Sequence, residues 1–137
     1  MANRLDWAVI RCIDGRFNEE IEAHLEEIGV PALHDVYSLP GSTKDLLDGD
    51  EGFLRNIEQI IVDLHGVTNV MLIQHTDCGA YGGRARCGGS ERADFEFHLC
   101  QLRKAAHAMK RFPGLKIHMA LAHIKDDGRI KMHTVTS

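Results

Sequence analysis

A chain of 137 residues is long enough to bury one proper core, so residues 1–137 are expected to form a single domain. Its net charge of −4, with no basic run gathered on one segment, argues against a nucleic-acid binder. No apolar stretch approaches the ~20 residues of a membrane span, and Arg4, Asp6 and Arg11 interrupt any signal-peptide pattern, which makes the cytoplasm the expected compartment.

In chain order, Leu5 to Cys12 reads as a first strand. Phe17, Ile21, Leu25 and Ile28 then form a helical stripe, with Asn18 as candidate N-cap and acids in the first turn. Gly29 and Pro31 end that helix, and Ala32 to Leu39 reads as a second strand. After the loop at Pro40–Thr43, Phe53, Leu54, Ile57, Ile60, Ile61 and Leu64 mark a second helix closing at Gly66. Asn69 to His75 is a third, apolar strand, and a glycine-rich loop runs from Gly79 to Ser90. A third helix is expected over Glu91 to Arg111 with Phe95, Leu99, Leu102, Ala106 and Met109 inward, which leaves Cys100 in the helix core. Leu115 to His123 alternates as a strand, and Asp126-Asp127-Gly128 turns it into a last strand at Arg129 to Val135. The order βαβαβαββ describes an α/β fold with a mainly parallel sheet.

The chemistry gathers at strand ends. His75 closes the third strand and Cys78 follows three residues later across a tight turn, a spacing that lets both side chains face one metal ion. Histidine with cysteine is a soft pair that suits zinc. The candidate for a third ligand is Cys12, at the end of the first strand. Of the four cysteines, two therefore sit in a metal-like setting with His75, and in a reducing compartment this is favoured over disulfides.

Cysteine-x-aspartate-x-arginine, here Cys12, Asp14 and Arg16, followed far downstream by histidine-x-x-cysteine, here His75 and Cys78 with Gly79-Ala80 trailing, resembles the signature of the β-class carbonic anhydrases. The likeness in element order extends from about Asp6 to Val135. It implies a sheet of order 2-1-3-4 flanked by helices, with the last strand as an antiparallel edge. It also implies Zn²⁺ held by Cys12, His75 and Cys78, and reversible hydration of carbon dioxide to bicarbonate by a zinc-bound hydroxide. Two thiolates and a neutral imidazole bring the ion to formal neutrality and leave one tetrahedral position open. Asp14, held by Arg16, would then accept a hydrogen bond from the water, or would swing onto the metal and close the site. A homodimer or higher even oligomer follows from the same resemblance, with Leu33, Val36 and Leu39 as surplus apolar residues.

Three departures accompany the likeness. The chain begins almost at its first strand, without the helical arm usual in the family; Tyr37 to Ser42 does not match the usual arginine- and asparagine-rich loop; and Gln74 stands where a glycine commonly precedes the histidine. They leave two alternatives: a hydrolase of carbonyl sulfide or carbon disulfide on the same zinc site, or a non-catalytic zinc-binding structural or regulatory module.

Rival motifs fit less well. Cys78 and Arg84 in a glycine-rich loop resemble the loop of cysteine-dependent phosphatases, yet Ala85 stands where a hydroxyl residue usually follows the arginine. Gly41-Ser42-Thr43-Lys44 lacks the spacing of a nucleotide P-loop, and Gly79 to Gly83 lacks the dinucleotide pattern. Cys87 has no partner pattern, and His24, His34, His65, His98, His107, His118 and His133 are expected mostly in solvent. His123, after the fourth strand, is a candidate pocket residue.

Overall fold

A computed structural model describes residues 4–136. Its sheet runs β2-β1-β3-β4-β5, where β1 is Trp7–Cys12, β2 Asp35–Leu39, β3 Asn69–His75, β4 Lys116–Ile124 and β5 Ile130–Val135. Every pairing is parallel except β4 with β5, which is antiparallel. The order 2-1-3-4 with an antiparallel edge strand is the expected one. The closing hairpin turns at Gly128, whose φ of 88° is a left-handed value that glycine adopts without strain.

Helices cover both faces, because the strands carry apolar residues on both. On one face, α1 (Asn18–Glu27) lays Ile21 and Leu25, together with Phe17, against Val9, Met71, Ile73, Ala120 and Ala122. The other face carries α2 (Lys44–Leu47), α3 (Glu51–Asn56) and α4 (Glu91–Ala108), over Ala8, Ile10, Val70, Leu72, Met119 and Leu121. From Ile57 to Leu64, α3 widens into π-helical turns, and the His65 N–H reaches back five residues to the Ile60 carbonyl at 2.9 Å. Phe53, Ile57 and Ile61 are buried at intervals of four, so Ile60 and Leu64 face outward.

Several local expectations shift. β2 starts at Asp35, three residues late, and α2 was not foreseen. Asn18 is not the N-cap of α1, which Phe17 occupies; a 3₁₀ turn at Gly15–Phe17 comes first, with the Asp14 side chain capping the Arg16 N–H. Asn18 Oδ1 instead accepts from Arg11 Nη2 at 2.5 Å. In α4 the fully buried stripe is Asp94, His98, Leu102, Ala105 and, just past its end, Met109. Phe95 and Leu99 are only half-buried, and Cys100 is exposed rather than in the core.

The first two turns of α4 bury polar groups, and that rotates the helix away from its apolar stripe. Burial also corrects the histidines, since His24 and His98 are inside the protein. Leu39 likewise belongs to the core.

Candidate metal centre

The path of the chain reverses between β1 and β3. β1 connects to β2 through α1 on one face, whereas the chain moves on to β3 and β4 through helices on the other. Such a reversal opens a crevice at the carboxyl ends of the two strands. Ile10 pairs with Leu72, so extending both strands by two residues sets Cys12 level with Gln74, beside His75.

One ligand atom each from Cys12, His75 and Cys78 lies within 4.8 Å of the others, and all three residues are buried. Donors sharing one zinc ion stand apart by less than about twice the Zn–S length of about 2.3 Å, so a small closure would seat an ion. His75 Nδ1 lies 2.6 Å from the Thr76 carbonyl oxygen, which accepts only if Nδ1 carries the proton. That leaves Nε2 as the lone-pair nitrogen, and it is buried without a hydrogen-bond partner. The ring is pinned from behind by Phe17, stacked at 4.3 Å between centroids.

The thiols are matched to a cation as well. Neither is in a disulfide. The hydrogen bond with Cys78 holds the Cys12 thiol well below its ordinary range, against the opposing effect of burial; His75 and the backbone N–H groups of Asp14 and Gly41 add to the lowering. Cys78 is pushed up by Cys12 beside it and by burial. Two adjacent buried thiols cannot both ionise without a compensating positive charge. A free imidazole nitrogen aimed at such a pair is a donor set that fits zinc.

Asp14 and Arg16 flank the cluster. Arg16 donates from Nε to both carboxylate oxygens at 3.1 and 3.0 Å and from Nη2 to Oδ2 at 2.7 Å. That guanidinium holds the Asp14 carboxyl below the usual carboxylate range. Asp14 Oδ2 stands 3.9 Å from His75 Nε2, on the ligand side of the ring. The five residues picked from the sequence thus converge on one spot.

The surroundings hold residues that the sequence reading passed over. Asp94, fully buried on α4, accepts from the Asp77 N–H and from Arg84 Nε, both at 2.9 Å. Arg84 also donates to Asp126, Thr76 and the Ile124 carbonyl. Its guanidinium is turned inward to these acceptors, and the phosphatase geometry, in which Arg84 would serve a Cys78 nucleophile, is not built. His98, four residues after Asp94, sits 3.5 Å from that carboxylate, and burial pushes it down to about 4.

Gln74 is buried too, donating to Thr43 Oγ1 at 2.9 Å and the Gly41 carbonyl at 3.3 Å, and so ties the loop beside Cys12 to β3. That loop needs a glycine: at Gly41, φ 79°, a Cβ would come within 2.8 Å of the Lys44 Cβ. His123 does not reach the cluster; it packs with Phe95 and His133 over α4.

The sequence signal for Asp94 and His98 was present. Spaced four apart, they continue the stripe of Leu102, Ala105 and Met109 upstream. A search restricted to apolar periodicity misses it.

An uncharacterized protein of Rickettsia conorii is 26% identical over 127 residues, covering 87% of this chain and 68% of its own length. A second uncharacterized protein, from Rickettsia bellii, is 29% identical over 127 residues, covering 87% of this chain and 77% of its own. Among solved structures, a β-carbonic anhydrase isoform from Trichomonas vaginalis aligns over 92% of this chain and 80% of its own, at 16% identity and a TM-score of 0.49. A family model described as "Putative carbonic anhydrase" matches residues 3–134, nearly the whole chain, and the protein belongs to that carbonic anhydrase family.

Proposed function

We propose that the protein is a zinc enzyme that catalyses the reversible hydration of carbon dioxide to bicarbonate, with Cys12, His75 and Cys78 as the ligands. The observation that carries this reading is the pairing of an orphaned, buried His75 Nε2 with two adjacent thiols, flanked by a carboxylate that Arg16 keeps in place. Bound there, zinc supplies a Lewis acid that makes hydroxide available near neutral pH.

The chain's own residues do the rest. Thr76 fixes the His75 tautomer, Phe17 fixes the ring plane, and the backbone N–H groups of Asp14 and Gly41 favour the Cys12 thiolate. Asp14, ionised at neutral pH, accepts a hydrogen bond from the attacking water and turns the oxygen lone pair toward carbon dioxide. The products are bicarbonate and a proton released to solvent.

The same reading includes a homodimer or higher even oligomer. Leu33 and Val36 are 78% and 55% exposed beside the outer edge of β2, and Ile60 and Leu64 extend the apolar surface across the π-helical turns. Val36, Tyr37 and Ile60 line a hollow of about 210 Å³ in that surface. A reducing compartment, the cytoplasm, suits two close but unbridged thiols, and no helix among the described residues is long and apolar enough to cross a membrane. The single domain is proposed to span 1–137.

Metal analysis with a carbon dioxide hydration assay on the purified protein tests the proposal. One equivalent of zinc per chain and hydration above background support it. Zinc without hydration would make the protein a non-catalytic zinc module.

A further inference from the structure

We propose that Asp77 is a positioning residue that holds the Arg16 guanidinium from a second edge and so keeps the Asp14 carboxylate off the metal position. The inference rests on the reading of Cys12, His75 and Cys78 as metal ligands, and concerns only which of two arrangements Asp14 adopts beside them.

Arg16 is shared between two aspartates. Its Nε/Nη2 edge serves Asp14, whereas Nη1 donates to Asp77 Oδ2 and Nη2 to the Asp77 carbonyl, each at 3.0 Å. Sixty-one residues separate the two partners, so this contact ties the loop after β1 to the loop after β3. Alone, the Arg16–Asp14 pair is a weak restraint. Arg16 is 44% exposed, and an exposed ion pair contributes little and is screened by salt. A doubly charged cation beside His75 would compete for the Asp14 carboxylate. An arginine fixed at both edges cannot swing with Asp14, and its fork geometry then dictates where the carboxylate points.

Asp77 is itself over-determined. It adopts a left-handed φ of 53°, a conformation that costs energy for any residue with a Cβ and persists where surroundings enforce it. All of its polar groups are engaged. The N–H donates to buried Asp94, Oδ1 accepts the Arg84 N–H at 2.8 Å, and Oδ2 and the carbonyl accept from Arg16. Gly83 allows the approach of Arg84, because a Cβ there would sit 3.1 Å from Asp77 Oδ1. The turned peptide aims both the side chain and the carbonyl of Asp77 at one guanidinium. Asp94 and Arg84 hold the latch; Asp77 is the part that touches Arg16.

The test uses Asp77→Asn, which keeps the shape and tolerates the left-handed backbone but presents an amide N–H toward Arg16. Asp77→Gly, free to adopt the same φ, is the second variant should the first fold poorly. Asp126→Asn is the control: it removes one exposed partner of the Arg84 guanidinium without touching Arg16 or Asp77. The readouts are a crystal structure of the zinc-loaded protein and the visible spectrum after cobalt substitution, both independent of turnover.

In the wild type and the control, Asp14 is expected to remain on Arg16. In either Asp77 variant it should bond the metal at about 2.0–2.2 Å, with a changed cobalt spectrum and hydration lowered at least ~10-fold. A fully metallated Asp77 variant with Asp14 still on Arg16 and a wild-type spectrum overturns the assignment, and leaves the zinc reading standing. A wild type that takes up no metal overturns both.

Discussion

His75 Nδ1 lies 2.6 Å from the carbonyl oxygen of the next residue, Thr76, and this short local bond decides which imidazole nitrogen faces the thiols. A metal ligand is useful only when its tautomer and ring plane are fixed before the ion arrives. Substituting His75 by Ala leaves the thiols with no third donor. Zinc content after extensive dialysis is expected to fall from about one equivalent to below a tenth, with circular dichroism little changed. Cys12→Ser should behave similarly. Full zinc retention in either variant would show that the ion is held elsewhere.

His98 supplies a prediction about acid stability. Burial keeps it neutral in the folded protein down to about pH 4, whereas in the unfolded chain it takes a proton near pH ~6.5. Between those values the unfolded state binds more protons, so stability falls as pH drops through the window. From pH 7 to pH 5 the loss from this group alone is about 2 kcal/mol. Urea unfolding of the wild type and His98→Gln at both pH values measures it. The wild type should lose about 2 kcal/mol more than the variant, and equal losses would contradict the buried, neutral assignment.

The oligomer prediction concerns the outer side of β2. Sedimentation at micromolar concentration is expected to show a dimer or a higher even assembly. Val36→Asp, which places a charge among exposed apolar residues, should shift the population to monomer with little effect on the monomer's own stability, because Val36 is 55% exposed. A wild-type monomer would remove the interface from the account.

How much was legible beforehand depends on how local each signal is. Strands with continuous apolar runs, such as Asn69–His75, read directly, and the Cys12, His75 and Cys78 order carried the site because strand ends in a parallel sheet converge. Sheet order came from the family resemblance, since periodicity along one strand says nothing about its neighbours. The inward turn of Arg84 was not legible. Its acceptors, Asp94, Ile124 and Asp126, stand ten to forty-two residues away and meet only after α4 and β4 have packed.

The buried stripe of α4 was misplaced for a related reason. Asp94 is interior because it braces the loop that carries Asp77, and His98 is buried one turn on beside its carboxylate; a hydrophobicity pattern scores both as surface.

Stopped-flow hydration of carbon dioxide by the zinc-loaded wild type and by Asp14→Asn, with zinc quantified in the same samples, tests the central claim most directly. Asn keeps the shape of Asp14 but removes the charge that orients the water. The wild type should show a rate that rises with pH and then levels off, and the variant should lose about 10²- to 10⁴-fold while keeping its zinc. A wild type that carries one equivalent of zinc and stays at background up to about pH 9 would contradict the enzyme reading.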